Sequence, residues 1–223
     1  MKPSIVFDVN ETLLDLSPVR TWFTNRFGDH PDASTWFGEL LRLSFVSATT
    51  DRYVPFPALA AAALATAAGR TGTSIGDGDI SHIVGVFTTL PAYEDVVPGL
   101  DLLHGAGITI AALTNSPQAT AETQLQNAGI SDRFDKIMSV EMVDRFKPHR
   151  SVYEAAAKTL GVSTSGMAMA AAHDWDIAGA IASGCDGIFI TRPGQMYSPA
   201  LPEPTLTATD IEHAAHLIID HYS

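Results

Sequence analysis

The stretch IVFDVNETLLDL, residues 5–16, climbs through apolar side chains to one carboxylate, Asp8. A carboxylate that ends a buried strand is costly unless a neighbour stabilises or uses it. Further along, ITIAAL leads into Thr114 and Asn115, and GMAMAAA leads into His173, Asp174, Trp175 and Asp176. Lys147 precedes Pro148, a pairing that keeps residue 147 extended and out of the helix that follows. Together these residue types can form a covalent ester, hold a carboxylate ionised and move a proton near neutral pH.

Such residues need elements that bring them together. After residue 96 the pattern alternates: a strand over 108–115, a helix from Pro117 to Ala128 closed by Gly129, and a strand over 136–141. A helix over 150–162, a strand over 166–173, a helix over 176–183, a strand over 187–191 and a last helix over about 210–221 complete the series. The run MAMAAA favours helix by composition, but an alternating chain needs a strand between its two glycine-stopped helices. The expected fold class is α/β, a Rossmann-like parallel sheet covered on both faces. Sheets of this kind place active residues at the carboxyl ends of their strands, where Asp8, Thr114–Asn115 and His173–Asp176 all fall.

Residues 14–95 are mainly helical segments, with no repeat and no low-complexity tract beyond the alanine run of 58–68. The expectation is a catalytic core built from residues 1–13 and 96–223, with residues 14–95 as an inserted helical cap. The cap's apolar helices could serve a homodimer interface or pack against the sheet.

Composition narrows the partners. An apolar fraction of 46% supports a packed core, and a net charge of −12 repels nucleic acid and anionic membrane. An anionic small-molecule substrate would therefore need locally placed cations. The single cysteine, Cys185, rules out an internal disulfide and reads as a small apolar core residue. With no secretory pattern at the N-terminus and no run long enough to span a bilayer, a soluble cytoplasmic protein is expected.

FDVNETL, LTNS, FKPHRSVY and HDWD, in this order and spacing, resemble the four signature segments of the haloacid dehalogenase superfamily. Through Asn10, the spacing from Lys147 to Tyr153 and the pair Trp175–Asp176, the chain is most similar to the type II 2-haloacid dehalogenases. The resemblance implies that Asp8 is the nucleophile, oriented by Thr12 and the amides of the turn after it. Thr114 and Asn115 would contact the substrate carboxylate or the leaving group; strand-end capping also suits both. Lys147 would keep Asp8 ionised, Tyr153 would order the site, and Asp176 would place or activate the hydrolytic water. His173 stands where these dehalogenases often carry asparagine; a neutral imidazole could accept a proton from water, whereas an amide could only orient it. Trp175 would wall the pocket or pack in the core.

Asn10 favours one reaction over another. Phosphatases of the superfamily usually carry an aspartate two residues after the nucleophile to protonate an alkoxide, and asparagine has no such proton. A departing halide needs none. The expected function is hydrolytic dehalogenation of short 2-haloacids through an aspartyl ester, without a cofactor. The alternatives are a magnesium-dependent phosphatase, with Asp8, the residue 10 carbonyl and Asp176 around the cation, and a non-catalytic binding protein on the same fold. The cap arginine of type II dehalogenases has no counterpart, because Phe37 falls at its position. Arg42, about 140° further around a helix, should face elsewhere, and Arg20, Arg26 and Arg52 remain as replacements.

Overall fold

Strands that are apolar on both faces require cover from both sides, and here the alternating helices supply it. The structure, a computed structural model, describes residues 2–28 and 30–223. Strands β1 (Ser4–Phe7), β2 (Ile110–Thr114), β3 (Lys136–Ser139), β4 (Met167–Ala171), β5 (Asp186–Ile190) and β6 (Leu206–Ala208) form one sheet in the order β3-β2-β1-β4-β5-β6. Every pairing is parallel, so the carboxyl ends of all six strands lie along one edge. β1 sits in the middle, with Phe7 opposite Ala112 of β2 and Ala170 of β4. The α/β sheet expected from the sequence is the one observed.

β4, Met-Ala-Met-Ala-Ala, is a strand against its composition. It is flanked by β1 and β5 and fully buried, so ladder hydrogen bonds and packing outweigh alanine's helical preference. The run expected as a strand over 136–141 leaves the sheet after Ser139, whose hydroxyl accepts from the Glu141 N–H and starts a tight turn. β6, three residues beside proline-rich chain, escaped the sequence pattern because it is too short to show alternation.

Helices α1 (Ser17–Phe27), α2 (Ala33–Thr49), α3 (Phe56–Thr71) and α4 (Asp77–Gly85) fill the segment between β1 and α5 (Val96–Gly105). Trp36 on α2 donates its ring N–H to the Ala60 carbonyl of α3 at 3.0 Å, and Leu40, Ala63, Leu64 and Phe87 bury beside it. This cluster is continuous with the apolar residues of β1, β2 and β4, so the helical segment packs directly on the sheet domain. The chain leaves and re-enters the sheet domain side by side: Tyr93 N–H donates to Leu13 O at 3.0 Å and Asp15 N–H to Pro91 O at 2.8 Å. Buried Arg192, just after β5, ties both strands of this neck through the Thr12 carbonyl and the Asp95 carboxylate.

Helices α6 (Gln118–Asn127), α7 (Arg150–Leu160), α8 (Asp174–Ala182) and α9 (Ile211–His221) follow β2, β3, β4 and β6. α8 begins two residues earlier than its apolar pattern indicated, with Asp174 and Asp176 in the first turn, where the helix dipole favours negative charge. Among the described residues, no helix is long and apolar enough to cross a membrane.

Candidate active site

The ends of β1, β2 and β4 and the turn before α7 converge on Asp8. Each of its oxygens is engaged. Oδ1 accepts from Lys147 Nζ at 2.8 Å, and Oδ2 accepts from Thr12 Oγ1 at 2.8 Å and faces His173 Nδ1 at 3.1 Å. Thr12 in turn accepts the Ala172 N–H at 2.9 Å, which ties the turn after β1 to the end of β4. Burial alone would raise the Asp8 carboxyl pKa. The Lys147 charge and the hydrogen bond and charge of His173 outweigh it and hold the group well below the usual carboxylate range.

Lys147 is completely buried. Its ammonium also donates to Asp176 Oδ2 at 2.6 Å and to the Leu113 carbonyl at 2.9 Å, and its backbone N–H donates to Asn115 Oδ1 at 3.0 Å. Burial would drive the proton off, but the charges of Asp176 and Asp8 raise its pKa above the ordinary lysine value. The second oxygen of Asp176 accepts from Tyr153 Oη at 2.7 Å. Asp176 and Tyr153 are therefore beneath the site, both fully buried, and Tyr153 supports Asp176 and does not wall the pocket.

His173 lies between two carboxylates, with Nε2 3.1 Å from Glu11 Oε2. A neutral imidazole has one N–H, so two ring nitrogens facing carboxylate oxygens require the doubly protonated ring. Burial would lower its pKa, but the hydrogen bonds to Asp8 and Glu11 push it up to about 9. Trp175 stacks on this ring at 5.1 Å and 24°, and Phe37 lies 6.0 Å away on α2.

The pocket over Asp8 measures about 20 Å³ and is lined by Asn10, Phe37, Leu41, Phe56, Thr114, Asn115, His173 and Trp175. Among the described residues, no arginine lines it. Arg42 pairs with Glu39 at 2.5 Å and Arg26 with Asp79 at 2.7 Å, while Arg20 sits 2.9 Å from Asp15 and 3.7 Å from Glu11. The exposed Arg52 is likewise absent from the lining. Asn10 reaches the pocket wall, but its amide is bound on both sides, accepting from Gln124 Nε2 at 2.9 Å and donating to Ser116 Oγ at 3.3 Å. The Thr114 hydroxyl accepts the Ser116 N–H at 3.1 Å.

The residues singled out in the sequence meet here in one cluster, in two layers. Glu11 was missed. Its only sequence signal is its place three residues after Asp8, and only the fold reveals that His173 stands opposite it. The magnesium alternative does not fit this donor set: the ammonium of Lys147 already bridges the two carboxylates that would hold the ion.

A parallel α/β sheet with a buried, cation-held aspartate at the end of its central strand and a helical segment over that edge defines a class of hydrolase fold. The family profile described as haloacid dehalogenase-like hydrolase matches residues 3–184, and the chain belongs to that family. Haloacetate dehalogenase H-2 of Moraxella sp. (strain B) is 24% identical over 217 residues, 96% of this chain and 97% of that protein. The (S)-2-haloacid dehalogenase of Pseudomonas sp. (strain YL) is 26% identical over 215 residues, 96% of this chain and 93% of that protein. The L-2-haloacid dehalogenase from Xanthobacter autotrophicus, in a structure with chloropropionic acid covalently bound, superposes with a TM-score of 0.88 at 22% identity, covering 98% of each chain.

Proposed function

We propose that this chain hydrolyses the carbon–halogen bond of short 2-haloacids through an ester on Asp8. Asp8 attacks the halogen-bearing carbon and the halide leaves without a proton; water then cleaves the ester at the Asp8 carbonyl, so the carbon is inverted once. The observation that carries this reading is an aspartate held ionised by Lys147 and His173, with the side chain two residues on, Asn10, locked by Gln124 and Ser116 and unable to donate an acid proton.

In this reading Thr12 orients the Asp8 carboxylate, and Tyr153 and Asp176 keep Lys147 in place beneath it. The Thr114 hydroxyl and the amide NH2 of Asn115, whose carbonyl is taken by Lys147, receive the substrate carboxylate. Trp175, Phe37, Leu41 and Phe56 exclude water from the reacting carbon. Residues 1–13 and 96–223 act as the catalytic core, residues 14–95 act as the cap, and the protein works in the cytoplasm without a cofactor.

The test is halide release from a panel of 2-haloacids and phosphate release from simple phosphate esters, with and without EDTA, for the parent and for Asp8→Asn. Halide release indifferent to EDTA and absent in Asp8→Asn is expected. Phosphate release that EDTA stops and magnesium restores would overturn the assignment.

A further inference from the structure

Dehalogenation through an ester needs a base for its second half, and Asp176 is badly placed for it. Both of its oxygens are taken, by Lys147 and Tyr153, and it does not reach the pocket wall. His173 does reach the wall, with Nδ1 beside the Asp8 carboxylate. We propose that Glu11 and His173 form a carboxylate–imidazole pair in which His173 takes the proton from the water that hydrolyses the Asp8 ester and Glu11 is its positioning residue. This rests on the dehalogenase reading.

In the free enzyme His173 faces two carboxylates and both its nitrogens are protonated, so it cannot act as a base. Alkylation changes that. Once Asp8 becomes a neutral ester, His173 keeps one anionic partner, Glu11, and the Nδ1 proton is no longer held. It passes to bulk water while the halide departs as an anion, and the ring now presents a lone pair to the space beside the Asp8 carbonyl carbon. The remaining neighbours do not compete: Phe37 of α2 and Trp175 of α8 are apolar, Lys147 faces the other oxygen of Asp8, and Arg20 faces the other oxygen of Glu11.

The protons balance. Water oxygen bonds to the Asp8 carbonyl carbon as one water proton moves to His173 Nδ1. The tetrahedral intermediate breaks its bond to the substrate oxygen, which takes that proton and leaves as the 2-hydroxy acid. The second water proton, on the new Asp8 carboxyl, passes to Nδ1 and restores the carboxylate–imidazolium pair. One haloacid and one water give one hydroxy acid, one halide and one proton, and that proton departs in the first half-reaction.

The backbone gives independent support. Glu11 holds φ at +66°, a left-handed conformation that side chains other than glycine avoid. A strained position that carries a carboxylate aimed at His173 Nε2 is the pattern found where strain serves a site.

Rapid-quench turnover of racemic 2-chloropropionate by the parent, Glu11→Gln and His173→Asn tests the proposal, with halide, product and the mass of the Asp8 peptide followed together. Glu11→Gly is a second variant, because glycine takes the same φ without strain. The expected result is a burst of halide equal to the enzyme, an ester accumulating on Asp8, and ester hydrolysis slowed about 10²-fold. In Glu11→Gln the acid limb of ester hydrolysis moves to lower pH, since no carboxylate raises the imidazole. Ester hydrolysis at the parent rate, or equal loss of ester formation and hydrolysis, would overturn it. A parent that releases no halide would overturn the dehalogenase reading, and the proposal with it, before any variant is made.

Discussion

In the proposed reaction Asp8 has to be ionised and poorly hydrated at once, and two cations from distant parts of the chain hold it in that state. Lys147 does so from beneath, paired with Asp176, and His173 does so from the pocket wall, paired with Glu11. The second pair makes stability depend on pH. The folded pKa of His173, about 9, lies above its ordinary 6.5, so its contribution is complete below about pH 6.5 and is lost as pH rises through 9. Urea titrations from pH 7 to pH 10 should show the parent losing on the order of 3 kcal/mol more than His173→Asn. Parallel curves for the two proteins would show that His173 is not a cation in the folded state.

At the scale of elements, the site depends on how closely α8 approaches the turn that carries Lys147. Gly179 makes the approach possible: a Cβ there would stand 2.4 Å from Pro148 Cβ and 2.8 Å from Tyr153 Oη. Gly179→Ala must therefore push α8, and Asp176 with it, away from Lys147 and Tyr153. The expectation is a loss of about 1–3 kcal/mol in stability and a fall in kcat that exceeds any rise in KM. Denaturation and steady-state halide release measure the two; unchanged kcat with unchanged stability would show that α8 can shift freely. Arg192 plays the matching part at the neck of the helical segment, where it joins Thr12, four residues from Asp8, to Asp95.

The molecule as a whole closes over its own site. Phe37 of α2 lines the 20 Å³ pocket above Asp8 and also a neighbouring cavity of about 240 Å³, lined further by Leu16, Val19, Arg20, Trp36 and Gln195. The first has room for about one water molecule, so a substrate must displace its walls. Because Phe37 borders both, Phe37→Ala should join the two spaces. It should raise kcat/KM for six-carbon 2-haloacids relative to two-carbon ones by at least about tenfold, the value of one or two buried methylenes. A chain-length series of halide-release assays checks this, and an unchanged ratio would mean that another wall sets substrate size.

The signals carried by the sequence were local ones. The order of strands and helices, the strand-end positions of Asp8, Thr114 and His173, and the extended lysine before Pro148 all follow from short-range patterns of polarity and backbone preference. The tertiary structure decided what required residues far apart to meet. It made MAMAA a strand because β1 and β5 flank it, and it placed Tyr153 beneath Asp176 and away from the pocket. It also brought Glu11 to His173 across 162 positions, which charges a ring whose sequence context left it free to be a neutral base. Protonation depends on distance and burial, and neither is written in a run of neighbouring residues.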